Sequence, residues 1–145
     1  MILLSQRDPR WSFKTIGKTN VTIGAQGCTI TCLSMLSDWY SGYKDPAWMA
    51  KYLSFTQTAL LVWQSITASE LPFKFVWRFY KYNEDWILPA LKSKTGSCIL
   101  QIRSNHWVVG INKIGSYYWV ADPWDGKRKL INKSIITGGA IMEKK

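Results

Sequence analysis

The chain has 145 residues, 47% of them hydrophobic, and its 19 lysines and arginines outnumber its 9 aspartates and glutamates for a net charge of +10. That size suits one compact domain, residues 1–145, with a core that needs no disulfide, and it argues against a second domain. The three cysteines lack the paired C-x-x-C spacing of a zinc ribbon and a single histidine accompanies them, no metal or other cofactor is expected, and the apolar start Met1-Ile2-Leu3-Leu4 stops at Ser5, too soon for a signal peptide or a transmembrane segment.

From the start to Gln26 the chain is rich in Gly, Asn, Thr and Lys, carries Pro9 and has no helical period, which predicts a short strand and then a long loop. Cys28 to Tyr40 holds no Gly or Pro and sets Cys28, Cys32, Met35, Leu36 and Trp39 on one stripe at steps of three and four, the period of a helix that Gly42 ends. Asp45-Pro46 reads as a cap and a first-turn proline opening a helix through about Leu53, and a third helical pattern runs from Leu60 to about Glu70. The aromatic stretch Phe73 to Tyr82 fits a strand, and Asp85 to Lys94 fits a helix with an acidic first turn and a basic last one, closed by Gly96. Ser97 to Arg103, His106 to Lys113 and Tyr117 to Asp122 are β-rich runs parted by Ser104-Asn105 and Gly115-Ser116 turns, an antiparallel meander. Shorter strands are expected at Arg128 to Ile131 and Ala140 to Met142, after an Asp125-Gly126 turn. Helices first and strands last give an α+β order.

Cysteine reacts as thiolate, and the positive end of a helix lowers its pKa while leaving it accessible at the helix mouth. Cys28 has that place, Gly27 before it removes a side chain that would crowd a substrate backbone, and the Cys28 N–H is free to face a developing oxyanion. His106 opens a β run and would present its ring at the edge of a sheet. With a hairpin between them, His106 and Asp122 lie on adjacent antiparallel strands near the same end, so the carboxylate reaches the imidazole. Taken singly these residues read as a structural Gly-Cys, a surface histidine and a strand-end aspartate; together they read as a nucleophile, its base and an orienting acid. Cys32 and Cys98 fit packed core thiols, Trp107 and Trp124 fit packing beside the pair, and Lys127-Arg128-Lys129 fits a solvated turn.

Four stretches taken in order, Ser5-Gln6-Arg7-Asp8-Pro9-Arg10-Trp11, Gly27-Cys28-Thr29-Ile30-Thr31, His106-Trp107-Val108-Val109-Gly110 and Ala121-Asp122-Pro123-Trp124, resemble papain-like cysteine peptidases related to the bacteriocin leader-processing family, family thirty-nine of the cysteine peptidases. The resemblance spans nearly the full chain. It implies a papain-like α+β fold with N-terminal helices packed on a C-terminal antiparallel sheet, and a Cys28-His106-Asp122 triad that hydrolyses peptide bonds. It also implies a glutamine as oxyanion donor and assigns it to Gln6. The sequence departs from the family there, because relatives keep that glutamine about six residues before the cysteine, and Gln26 is the rival.

The resemblance implies a peptide substrate in a leader, a precursor or a bacterial cell-wall stem. A strongly cationic chain without a signal peptide fits a wall-degrading enzyme released by lysis or carried in a virion, drawn to anionic cell-wall polymer. A leader- or precursor-processing peptidase is the alternative, and a catalytically idle module of the same fold is another. Charge and aromatics alone suggest nucleic acid, but no motif specific for it is present.

Overall fold

The uninterrupted helical run at Cys28 becomes a helix of 12 residues, Cys28–Trp39, in the computed structural model, which describes residues 1–145. It is α2, because residues expected to be loop form a short helix just before it, α1 (Ile23–Gln26), capped by Thr22 Oγ1 accepting from the Ala25 N–H. The burial of α2 is not confined to one stripe. Thr31, Ser34 and Ser37 are buried along with Ile30, Leu33 and Met35, whereas Trp39 at the far end is 41% exposed. Small hydroxyl side chains let other elements close on both sides of it, as expected of a helix covered all round.

α3 (Pro46–Tyr52) starts as its cap predicts, with the Asp45 carboxylate accepting the Trp48 N–H at 2.8 Å. The third expected helix is shorter, α4 (Gln64–Ala68), because the residues before it are used otherwise. Leu61 bridges to Phe55, the Thr56 N–H donates to the Leu60 carbonyl and the Val62 N–H to the Ser54 carbonyl, so this stretch closes as a loop. No strand forms at the start of the chain; its only β pairing is the bridge between Thr15 and Thr22. The Ile2 N–H goes to the Asp38 carboxylate and the Gln6 N–H to the Pro123 carbonyl instead.

β1 (Phe73–Phe79) and α5 (Glu84–Lys92) are followed by β2 (Gly96–Ile102), β3 (His106–Ile114), β4 (Tyr117–Asp122), β5 (Lys127–Asn132), a 3-10 turn (Lys133–Ile135) and β6 (Ile136–Lys144). The strands form one antiparallel sheet in the order β1-β6-β2-β3-β4-β5, in which β2 to β4 are the expected meander and β5, expected as a separate short strand, extends it. β6 is nine residues long and interior, well beyond the short strand expected at Ala140 to Met142. Its glycines hide it from a propensity reading, yet packing requires them: a Cβ on Gly139 would overlap the Phe79 ring and stand 3.0 Å from the Ile99 carbonyl.

The main core lies between one sheet face and α2 and α3, and holds Leu33, Met35, Met49, Val109 and Ala121. A second core lies under α5 on the opposite face, around Ile87, Cys98, Leu100, Val108 and Val120. The sheet is therefore covered on both sides, and β2 is buried along nearly its whole length. Tyr40, just past α2, ties the helix layer to the sheet through Ser97 Oγ at 2.9 Å. No helix is long and apolar enough to cross a membrane.

Candidate active site

Cys28 is the first residue of α2, where the helix's leading N–H groups lack intrahelical acceptors and the local potential is positive. Gly27 is both the last cap of α1 and the N-cap of α2. A Cβ there would come within 2.6 Å of Ile23 Cγ2 and closer still to the Ile23 carbonyl. The glycine thus serves the tight junction of two helices, a different reason from the substrate access expected above. Cys28 is also more enclosed than a helix mouth suggests, at 9% exposed, because His106 and Trp107 lie over it.

His106 stands at the end of β3, an interior strand, so it occupies a strand terminus rather than a sheet edge. Its Nε2 meets Asp122 Oδ1 at 2.7 Å, which leaves Nδ1 for the Cys28 thiol. Asp122, at the end of β4, is held from three sides: His106, the Trp124 N–H at 2.9 Å, and Lys129 Nζ at 2.8 Å from Oδ2. Lys129 also reaches Asp125 at 3.0 Å, so it is an ionic clamp on the carboxylate and not the solvated turn residue expected from its basic neighbours. Two cues could have found it: the spacing Asp125-x-x-x-Lys129, and the alternation that turns residue 129 away from exposed Arg128.

Electrostatics follow this geometry. Burial pushes the Cys28 thiol up, but hydrogen bonds from His106 and the Trp107 N–H, with the imidazolium charge, bring it below its ordinary value. Burial likewise pulls His106 down, and its bonds to Asp122 and Cys28 outweigh that and raise it to about 9. Burial would raise Asp122, yet His106, Lys129 and the Trp124 N–H hold it far below the usual carboxylate range. The same contacts thus draw Cys28 toward thiolate, His106 toward imidazolium and Asp122 toward carboxylate. Cys32 and Cys98 are fully buried with thiols pushed up by desolvation, which makes them inert.

Gln6 reaches the same cleft from the other end of the chain. Its motif is a compact turn in which the Asp8 N–H donates to the Ser5 carbonyl, Arg10 pairs with Asp8 at 2.8 Å and buried Trp11 donates Nε1 to the Ser5 carbonyl at 2.8 Å. The turn is fastened to the loop after Asp122: Ser5 Oγ and Arg7 Nε both donate to the Trp124 carbonyl, and the Arg7 guanidinium lies 4.4 Å from the Trp124 ring. Gln6 is 2% exposed and gives one Nε2 hydrogen to the Gly24 carbonyl at 3.2 Å, which leaves the other hydrogen uncommitted. Gln26 lines the cleft too, but it is exposed.

The cleft has a volume of about 550 Å³, and Gln6, Cys28, His106, Trp107 and Trp124 all line it. Trp107 is buried against Trp63, whereas Trp124 is 43% exposed at the rim. The structure thus brings Cys28, His106, Asp122 and Gln6 together from α2, β3, β4 and the N-terminal turn. No protein-family model and no curated protein matches the sequence. Among solved structures the chain is similar to a double glycine motif protease from an AMS/PCAT transporter in complex with the leader peptide, with a TM-score of 0.61 and 17% identity over 81% of this chain and 84% of that one. At that identity the likeness is one of fold, and the fold it shows is the papain-like α+β arrangement of helices against an antiparallel sheet.

Proposed function

We propose that this protein is a cysteine peptidase that cuts a leader or precursor peptide, with Cys28 as nucleophile, His106 as acid and base, Asp122 as orienting carboxylate and Gln6 as oxyanion donor. The observation that carries the reading is the arrangement in which His106 bonds Asp122 through Nε2 at 2.7 Å and shares the wall of one cleft with Cys28. In that reading Cys28 Sγ attacks the scissile carbonyl carbon, and the oxygen's charge is met by the Gln6 amide and the Cys28 N–H. His106 then gives its proton to the departing amine, leaving a thioester. Water attacks the thioester while His106 takes its proton, releasing the new carboxylate and the thiolate.

Processing of a leader or precursor has the better support, because a protein of the same fold is seen with a leader peptide bound. The net charge of +10 favours a second substrate, the peptides of an anionic cell wall, which the same chemistry would cut. Incubation with leader-type peptides and with purified walls, followed by mass analysis, separates the two. New amino termini are expected from peptides, lost in Cys28→Ala, while iodoacetamide labels Cys28 ahead of buried Cys32 and Cys98. Equal labelling of the three thiols would remove the activated cysteine. Cys28-dependent release of amino termini from walls alone would replace the processing reading.

A further inference from the structure

A second and larger cleft, about 1040 Å³, opens between the turn at residues 13–19, α3 and the loop that follows it. Lys14, Lys18 and Lys51 line it, all three exposed and none in an ion pair, and no acidic residue lines it. Phe13, 84% exposed, and Trp48 add apolar surface against which the stems of charged side chains can lie. The cleft that holds Cys28 has the opposite character, since His106 is the one titratable side chain besides Cys28 along its wall and it carries no Lys, Arg, Asp or Glu. The two are neighbours, because Phe55 lines both.

Resting on the peptidase reading, we propose that the lysine-lined groove holds an acidic stretch of the peptide that is cut at Cys28, so that the substrate is uncharged around the scissile bond and anionic beside it. Three unpaired cations within one groove repel each other, and an anionic segment relieves that repulsion as it gains three partners. A polypeptide is the ligand that fits both clefts at once: the cysteine needs an acyl bond in the first, and the lysines need anions, which carboxylates supply, in the second. A polyphosphate wall polymer would satisfy the lysines but offers nothing to Cys28.

The test compares fluorescein-labelled oligoglutamate with oligoglutamine of the same length by anisotropy on the full chain. It uses a Lys14→Gln, Lys18→Gln, Lys51→Gln variant and a control with the same charge loss elsewhere, Lys74→Gln, Lys94→Gln, Lys127→Gln. Oligoglutamate is expected to bind more tightly than oligoglutamine and to lose about tenfold in affinity in the groove variant, the sum of three exposed pairs, but little in the control. Equal loss in both variants would mean that only the overall field acts, and would overturn the groove. In the cleavage arm, Glu-flanked and Gln-flanked versions of one cut peptide should differ in KM and share kcat, and the groove variant should erase the difference. Cleavage with the same KM for both sinks the groove and keeps the peptidase. Lysine-dependent binding with no peptide cut sinks the peptidase and keeps an acidic-peptide site. Displacement of oligoglutamate by inorganic polyphosphate, with no preference for Glu flanks in cleavage, would assign the groove to a wall polymer instead.

Discussion

His106 is the only histidine in the chain, so its titration can be followed without ambiguity by NMR. The charge pair needs a deprotonated Cys28 and a protonated His106; kcat/KM should therefore rise as the thiol ionises and fall as the pH passes about 9, where the imidazolium loses its proton. Asp122 stays ionised throughout that range, so it shapes neither limb directly. Asp122→Asn removes the carboxylate that raises His106; its pKa should fall toward the ordinary value, and the alkaline limb should move to lower pH with it. Lys129→Met has the opposite sign, because loss of a cation beside Asp122 leaves the carboxylate freer to hold the imidazolium, and the NMR titration should move up. An unmoved titration in both variants would show that neither group governs the histidine. His106→Ala should cost more than either, by roughly 10²–10⁴ in kcat, since in the proposed reaction it removes the proton carrier itself.

At the scale of elements, what was readable was what is local. The cap at Asp45 and the unbroken period after Gly27 place α2 and α3 close to their observed bounds, because a cap and a period are satisfied within one or two turns of chain. α4 and β6 were misjudged where a partner from elsewhere decides. Residues 54–62 bond among themselves and shorten the helix, and Phe79 lying across Gly139 makes a glycine-bearing stretch into an interior strand. The α1–α2 junction shows how tightly such a decision binds the candidate site. Gly27→Ala places a methyl group against Ile23 and should lower stability by ~1–3 kcal/mol, read as a shift in denaturant midpoint. Because Cys28 follows directly, its alkylation rate should fall in the same variant even under conditions where the protein stays folded. A variant as stable and as reactive as the parent would show that the junction has room to spare.

Across the whole molecule, the N-terminal turn and the loop after Asp122 form one unit that sets Gln6 in the cleft lined by Cys28. Gln6→Ala should lower kcat by roughly 10²–10³ with little change in KM, and Gln26→Ala should leave both near the parent values. Gly126 carries this coupling, since its φ of +70° is left-handed and a Cβ there would stand 3.2 Å from Leu4 and 3.3 Å from Ser5 backbone atoms. Gly126→Ala should therefore reduce kcat in the direction of Gln6→Ala while the alkylation rate of Cys28 stays unchanged; parallel loss of both would mean that the loop supports the thiol as well. The sequence by itself determined the helix start at Cys28, the hairpin that sets His106 near Asp122 and the α+β order, because capping, periodicity and turn chemistry act over a few residues. Only the tertiary structure decided that Gln6 arrives across the Pro123–Gly126 loop, that Lys129 clamps Asp122, that α5 covers the second face of the sheet, and that three lysines from separate segments share a groove with Phe55. Each of these joins segments brought together by packing, and no local pattern of residues records which distant surface a side chain will meet.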